Sequence, residues 1–409
     1  MIIKSIKARK ILNSRKEATI EIEVKSGEGY AKASAPSGAS KSSKEVVAFP
    51  DNNVDKAIEF VNNTLAKELE NYSLKNFDDF YDLENEIIKK YDPTSRLEKI
   101  GGNTVIALEF ALLHALAKGR IWYFINPNAK SLPRPLGNCI GGGKHVNKEN
   151  APEFQEFLLI SLDARSFDRA ANANATIHKM LKKKLKKFLT KPKLTDEGAW
   201  CPELKTEEIL DILQETIKEY KEKSKVDFDV RIGIDVAANS FFKNGKYFYK
   251  DKTLSRNEHI SYLIDLAKKY KLTYLEDPVE ENDFSGYAKI KKELVQGRTC
   301  LICGDDLTAT NPELIKKAVQ MKAINSVIIK PNQVGFLTKT IEAIEVAKKF
   351  GLNAVISHRS GETLDATISQ LAVAYSLPII KCGIFGKERE AKIKELLRIG
   401  KEIKALRQS

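Results

Sequence analysis

The feature that most constrains this chain lies in its C-terminal two-thirds. Six short apolar runs recur there, at Phe228–Asp235, Leu272–Glu276, Cys300–Asp305, Ser326–Lys330, Ala354–His358 and Leu377–Lys381. Each is followed by a segment of helical period, and each ends on an ionisable residue. Strands alternating with helices imply a parallel sheet. Two earlier runs, Leu136–Ile140 and Phe154–Leu162, precede two helical patterns, a long one and a second at about Thr206–Tyr220. The total is eight strands, which implies a closed barrel. The opening order departs from plain alternation and predicts one antiparallel strand near the start. The fold class expected is α/β: an eight-stranded β/α barrel of ββαα(βα)6 type with a smaller N-terminal α+β domain.

That smaller domain is expected over residues 1–125, with the barrel over 126–409. Apolar Ile20, Ile22 and Val24 alternate with Glu21, Glu23 and Lys25, and Gly27-Glu28-Gly29 reads as a turn. Residues 37–50 form a polar loop. Helical patterns follow over 57–69, from about Phe80 to Tyr91, and over Thr104–Leu116 after Gly101-Gly102-Asn103. Asn126-Pro127-Asn128 and Pro133-Arg134-Pro135 read as the linker.

Composition excludes several classes. Hydrophobic residues make up 42% of the 409 and charged residues 30%, a globular balance. No run of 18 apolar residues occurs, so no membrane-spanning helix is expected. Met1-Ile2-Ile3-Lys4 enters an alternating pattern without a secretory apolar stretch. Five scattered cysteines do not form a disulfide framework, so a cytoplasmic location is expected. The net charge is +13, but its one dense cluster, Lys182–Lys187, carries Leu181, Leu185 and Phe188 at helical spacing. It reads as the solvated face of an amphipathic helix, and nucleic acid is not the expected partner.

The chemistry collects at the strand ends. Asp235, Glu276, Asp305, Lys330, His358 and Lys381 follow one another at intervals of 23 to 41 residues, about one βα unit each. In a β/α barrel those ends form the active-site mouth. Three converging carboxylates without cysteine or histidine make a hard oxygen site that favours Mg²⁺ over zinc. A lysine beside another cation has its ammonium form disfavoured and can act as a base. A divalent metal facing a lysine base suits proton abstraction alpha to a carboxylate.

At this point the chain resembles the enolase family, as a divergent member. The resemblance runs from about Ala8 to Glu402. It is carried by Ala8–Arg15, Pro36-Ser37-Gly38-Ala39-Ser40, Gln155-Glu156-Phe157, Asp196-Glu197-Gly198, Gly304-Asp305-Asp306-Leu307, Ile329–Gly335, Ser357–Thr363, Ile380-Lys381 and Leu397-Arg398-Ile399. It implies a lyase that interconverts 2-phosphoglycerate and phosphoenolpyruvate in glycolysis and gluconeogenesis. It places a structural Mg²⁺ on Asp235, Glu276 and Asp305, with a second Mg²⁺ site formed with substrate and closed by Ser40 on a mobile loop. It makes Lys330 the base and Glu197 the acid, with Glu156 beside it. Arg359 and Ser360 become phosphate ligands, Lys381 holds the substrate carboxylate, and His145 and His358 line the pocket. It also implies a homodimer or higher assembly in which Glu21 and Arg398 pair across the interface. A neighbouring carboxylate, Glu156, is expected to raise Glu197, and neighbouring positive charge to lower Lys330.

The chain departs from the family pattern at Lys41-Ser42, where the loop usually continues Thr-Gly, and at Gly141-Gly142-Gly143, Ala199-Trp200 and Phe385–Arg389. Trp200, beside Glu197, is bulky enough to crowd the pocket. The alternative is an enolase-like paralogue with low or no activity and a scaffold or polyanion-binding role. Cys300 and Cys303 read as packing, His114 as partly buried, and His178 and His259 as surface residues. Asp277 and Asp306 read as support behind the site.

Overall fold

The computed structural model describes residues 1–27, 29–39, 42–146, 150–295 and 300–408. Strands β1 (Ile3–Leu12), β2 (Ala18–Ser26) and β3 (Gly29–Ser34) form an antiparallel meander. Alternation sends Ile20, Ile22 and Val24 inward, all fully buried. They pack against the helix Gly102–Leu116, which is buried almost all round. A helical segment over 54–68, with one π turn, and another over 79–91 complete the layer. The helix start needs its two glycines. Gly101 sits at φ +86, and a Cβ there would lie 2.5 Å from the carbonyl oxygen of Ala48. A Cβ on Gly102 would meet Val46 at 2.4 Å. The segment 45–49 is thereby packed onto the helix.

The barrel strands are β4 (Arg134–Gly141), β5 (Glu156–Ile160), β8 (Arg231–Asp235), β12 (Tyr274–Glu276), β13 (Leu301–Gly304), β14 (Ser326–Ile329), β15 (Asn353–Ser357) and β16 (Ile379–Lys381). They are bonded in that order, and β16 pairs with β4 to close the ring. β5 alone runs antiparallel to both of its neighbours, as the ββαα opening predicts. Leu136, Leu158, Tyr274, Leu301, Ile328, Val355 and Ile379 fill the interior as one cluster. A second, larger core lies between the strands and the surrounding helices. Among the described residues no helix is long and apolar enough to cross a membrane.

Four details differ from the sequence reading. Arg134 and Pro135 do not belong to a linker; they begin β4. A hairpin of β6 (Leu189–Leu194) and β7 (Trp200–Pro202) extends the sheet beyond β4. A small sheet of β9 (Phe242–Lys243), β10 (Lys246–Phe248) and β11 (Thr253–Ser255) follows β8. Finally, His178 and His259 are buried, not on the surface. Each lies on the inward stripe of its helix, beside Ile177 and Leu181 or Ile260 and Leu263. His178 stacks on Trp200 at 5.1 Å, and His259 stacks on Tyr247 at 3.6 Å. The lysine cluster behaves as a helix face: Lys182, Lys183, Lys186 and Lys187 are exposed while Leu181 and Leu185 are buried. Lys184 pairs with Glu215 and Glu219 of the next helix.

The N-terminal layer docks on the barrel through two contacts that bear on the site. Ser37 and Gly361 exchange backbone hydrogen bonds, each 2.8 Å. Two buried acids, Glu84 and Glu109, cap the helix Leu337–Lys349. This is the helix that follows Lys330 and the short turn after it.

Candidate active site

The parallel strands deliver their last residues to one mouth. In register, Asp235 of β8 stands beside Glu276 of β12, and Glu276 beside Cys303 of β13. Asp305 follows two residues further on. The antiparallel β5 delivers its first residue instead, so Glu156 pairs in register with Asp235. From the far side of the ring, Lys381 reaches into this group. Its Nζ lies 2.9 Å from both oxygens of Glu276, 3.1 Å from Asp235 Oδ2 and 3.2 Å from Glu156 Oε2. The ammonium of Lys330 bonds to Asp305 Oδ2.

Glu197 arrives from the turn between β6 and β7. Its Oε2 accepts a hydrogen bond from Asn138 Nδ2 at 3.0 Å. Its Oε1 lies 3.7 Å from His358 Nε2 and 3.9 Å from His145 Nε2. His145, Glu156 and Glu197 bring their ligand atoms within 4.8 Å of one another. The turn that carries His145 depends on Gly142, where a Cβ would lie 2.1 Å from the carbonyl oxygen of Pro152. Arg359 and Ser360 follow β15. Ser360 Oγ accepts from the backbone N–H of Ala39 at 2.7 Å. Ser40, expected to complete a second metal site, and Lys41 beside it lie outside the described residues.

His145, Glu156, Glu197, Lys330, His358, Arg359 and Lys381 are among the residues that line a cavity of about 20 Å³. A larger cavity of about 330 Å³ lies between residues 92–96 and the helix Pro312–Gln320, away from the strand-end acids. The small cavity is the one with chemistry. Neither ring nitrogen of His358, nor His145 Nδ1, nor Gln155 Oε1, has a hydrogen-bond partner among the described residues. Buried polar atoms are ordinarily bonded. Four unpartnered ones around one pocket point to a polar ligand.

Burial and crowding set the charges. Burial and the facing Glu197 push Glu156 well above the usual carboxylate range. Burial would also raise Glu197, but His145, His358, Arg389 and Lys381 outweigh it and hold its carboxyl low. The pair therefore keeps its proton on Glu156, where the sequence reading expected Glu197 to be raised. Burial would lower Lys330, yet Asp305 outweighs it and the net direction is upward. That too reverses the expectation, because the lysine's nearest neighbour is an anion. Burial lowers His358 well below its ordinary value, against the pull of Glu197.

The donor set fits a hard divalent cation. Asp235, Glu276 and Asp305 offer oxygen alone. Burial and Asp235 push Glu276 up to about 8, a sign that negative charge at the mouth exceeds what Lys381 can balance. Asp277 stands behind: its Oδ1 accepts the backbone N–H of Asp305 at 2.9 Å and its Oδ2 that of Asp306 at 2.8 Å. Asp277, Asp305 and Asp306 bring carboxylate oxygens within 4.8 Å of one another.

Trp200 does not crowd the pocket. It turns onto the helix Phe167–Leu185, where its Nε1 donates to the carbonyl of His178 at 2.8 Å. Sequence reasoning missed Asn138, which holds Glu197, and Gln333, whose Nε2 donates to Asp305 Oδ1 at 2.8 Å. It missed Glu45, which forks onto Arg359, and Arg389, which donates to the carbonyl of Ser360 at 2.7 Å. Asn138 carried a signal as a polar residue inside the apolar run Leu136–Ile140, and Gln333 as a member of the segment Ile329–Gly335.

Comparison with known proteins agrees with this geometry. A family model described as the enolase N-terminal domain matches residues 3–122. One described as the enolase C-terminal TIM barrel domain matches residues 129–408. The enolase of Archaeoglobus fulgidus is 40% identical over 403 residues, covering 98% of this chain and 97% of its own. That of Methanosphaera stadtmanae is 40% identical over 413 residues, with the same coverage. That of Thermoplasma acidophilum is 37% identical over 404 residues, covering 97% and 98%. With matches spanning almost its whole length, the chain belongs to the enolase family.

Proposed function

We propose that this chain catalyses the magnesium-dependent, reversible dehydration of 2-phosphoglycerate to phosphoenolpyruvate, as a cytoplasmic enzyme of glycolysis and gluconeogenesis. Residues 1–125 supply the Ser40 loop and residues 126–409 the catalytic barrel. The observation that carries the reading is the convergence of Asp235, Glu276, Asp305, Lys330, Lys381, Glu156, Glu197 and Arg359 on one buried mouth.

Asp235, Glu276 and Asp305 would hold one Mg²⁺, and Ser40 would take part in a second site formed with substrate. The ions supply charge to offset the ene-diolate that forms when a proton leaves the carbon beside a carboxylate. Lys330 Nζ takes the C2 proton. With the charge of Asp305 committed to a cation, Lys330 loses the partner that keeps it protonated, and Arg359 and Lys381 favour its neutral form. Glu197 and Glu156 hold one proton between them, which goes to the C3 hydroxyl as it leaves as water. Lys381 binds the substrate carboxylate. Arg359 and Ser360 bind the phosphate, for which a guanidinium offers a fork that lysine lacks. His145 and His358 line the pocket.

The test follows ultraviolet absorbance as phosphoenolpyruvate forms, with Mg²⁺ or with a chelator. The expected result is metal-dependent turnover that Lys330→Ala lowers by about 10²- to 10⁴-fold. A folded, metal-loaded protein without turnover would overturn the reading and leave the scaffold or polyanion-binding paralogue. We also propose a homodimer or larger assembly. Within one chain Glu21 pairs with Arg9 and, at 3.4 Å, with Lys32, while Arg398 pairs with Glu395 and Glu402. Across an interface the two would meet.

A further inference from the structure

Arg359 belongs to the barrel, yet its guanidinium is held from the other domain. Its Nη1 donates to Glu45 Oε2 at 3.0 Å and its Nη2 to Glu45 Oε1 at 3.0 Å. Nη1 also donates to Asn332 Oδ1 at 3.0 Å. Two parallel bonds to one carboxylate fix the plane of a guanidinium as well as its position. Both side chains are buried, Arg359 with 3% and Glu45 with 7% of its side chain exposed.

Glu45 is itself anchored. The backbone N–H of Val46 donates to the carbonyl of Gln333 at 3.0 Å, and Arg96 donates to the carbonyl of Glu45 at 3.0 Å. Gln333, whose amide lies 3.5 Å from Glu45 Oε1, also bonds Asp305. A chain of contacts thus runs from Arg359 through Glu45 and Gln333 to a carboxylate of the metal group.

We propose that Glu45 is the positioning residue for Arg359, so that the N-terminal domain sets the aim of the anion-binding guanidinium. This rests on the reading of Arg359 as the phosphate ligand. A guanidinium carries five N–H donors, and the fork on Glu45 engages two of them while fixing the plane in which the others lie. The competing effect has the opposite sign. Removing a negative charge beside Arg359 would by itself strengthen anion binding. Positioning wins because a buried guanidinium without its partner turns to the next acid. Asp305 and Asp306 are the next acids acting on it, and with Asp305 committed to Mg²⁺ it is Asp306 that draws it.

The experiment uses the full chain with Mg²⁺. Inorganic phosphate is titrated calorimetrically, and KM and kcat are measured for 2-phosphoglycerate. For Glu45→Gln the expected result is about a tenfold rise in both the phosphate Kd and KM, with kcat within about threefold of the parent. Mg²⁺ affinity stays unchanged. Glu45→Asp, which keeps the charge on a shorter arm, recovers part of the loss. It also serves if Glu45→Gln fails a cooperative melt. Unchanged or tighter phosphate binding, or a fall in kcat with KM unmoved, would overturn the assignment. If the parent binds phosphate but turns over no 2-phosphoglycerate, the dehydration reading fails while the phosphate titrations still decide the role of Glu45.

Discussion

The buried acids between the two domains permit a quantitative test. Glu109 Oε2 accepts the backbone N–H of Leu337 at 2.7 Å. Glu84 Oε1 accepts that of Thr338 at 3.0 Å, and its Oε2 accepts the Thr338 hydroxyl. Burial and Glu84 raise Glu109 well above its ordinary value; burial also raises Glu84, against the pull of Lys89. One helix N-terminus can stabilise one carboxylate there, and a second buried charge beside it is disfavoured. The two acids therefore share a proton in the folded state and lose it on unfolding at neutral pH. A carboxyl whose folded pKa is raised contributes stability that is complete below the unfolded value, about 4.3. That contribution is lost as pH rises towards the folded value. Glu109→Gln replaces the titrating proton with a permanent amide donor of the same shape. The variant should gain on the parent by about 1.4 kcal/mol for each pH unit in that window. Urea denaturation of both proteins at pH 5, 6 and 7 measures the gap. A gap that stays constant, or that narrows as pH rises, would refute the shared proton.

Further outcomes follow from the same accounting of buried charge. Lys392 Nζ lies 2.6 Å from Glu362 Oε2 with both side chains buried, so Lys392→Met should cost about 3 kcal/mol in urea denaturation, and a loss below about 1 would contradict it. Asn138→Ala removes the donor to Glu197 and should lower kcat about tenfold with the fold intact; an unchanged kcat removes Asn138 from the site. Mg²⁺ should raise the melting temperature of the metal-free protein. That gain should shrink as pH falls below about 8, because protons compete for Glu276, whose pKa lies at about 8; equal shifts at pH 7 and 9 would be inconsistent with Glu276 as a ligand. Arg398→Glu should reduce the assembly in sedimentation velocity, and an unchanged profile would rule out its pairing with Glu21.

What the sequence discloses about this molecule follows from how each feature is encoded. The barrel is readable because its strands are short apolar runs and six of the seven parallel ones end on or just before residues that chemistry needs. Asp235, Glu276, Asp305, Lys330, His358 and Lys381 can be counted off one per unit. The hairpin is not readable, because Leu189-Thr190-Lys191-Pro192-Lys193-Leu194 is an edge strand exposed on both faces, with a proline inside it. Such a segment has neither alternation nor an apolar run. The buried histidines fail for a different reason. A polar residue on the inward stripe looks like a surface residue until its partners are known, and the Tyr247 that covers His259 comes from a small sheet with equally weak signals.

Protonation states lie further still from the sequence. That Glu197 is held low while Glu156 is raised depends on His145, His358, Arg389 and Lys381, which meet only across the closed ring. Lys330 is drawn up rather than down because the nearest strand end to it is Asp305. Residue type and strand position thus identify the groups at the mouth. Which of them carries a proton is decided by contacts between strands remote in sequence. Glu45 shows the limit of the same argument. It sits in a polar loop with no periodicity, 314 residues from Arg359, and only the docking of one domain on the other brings its carboxylate to the guanidinium.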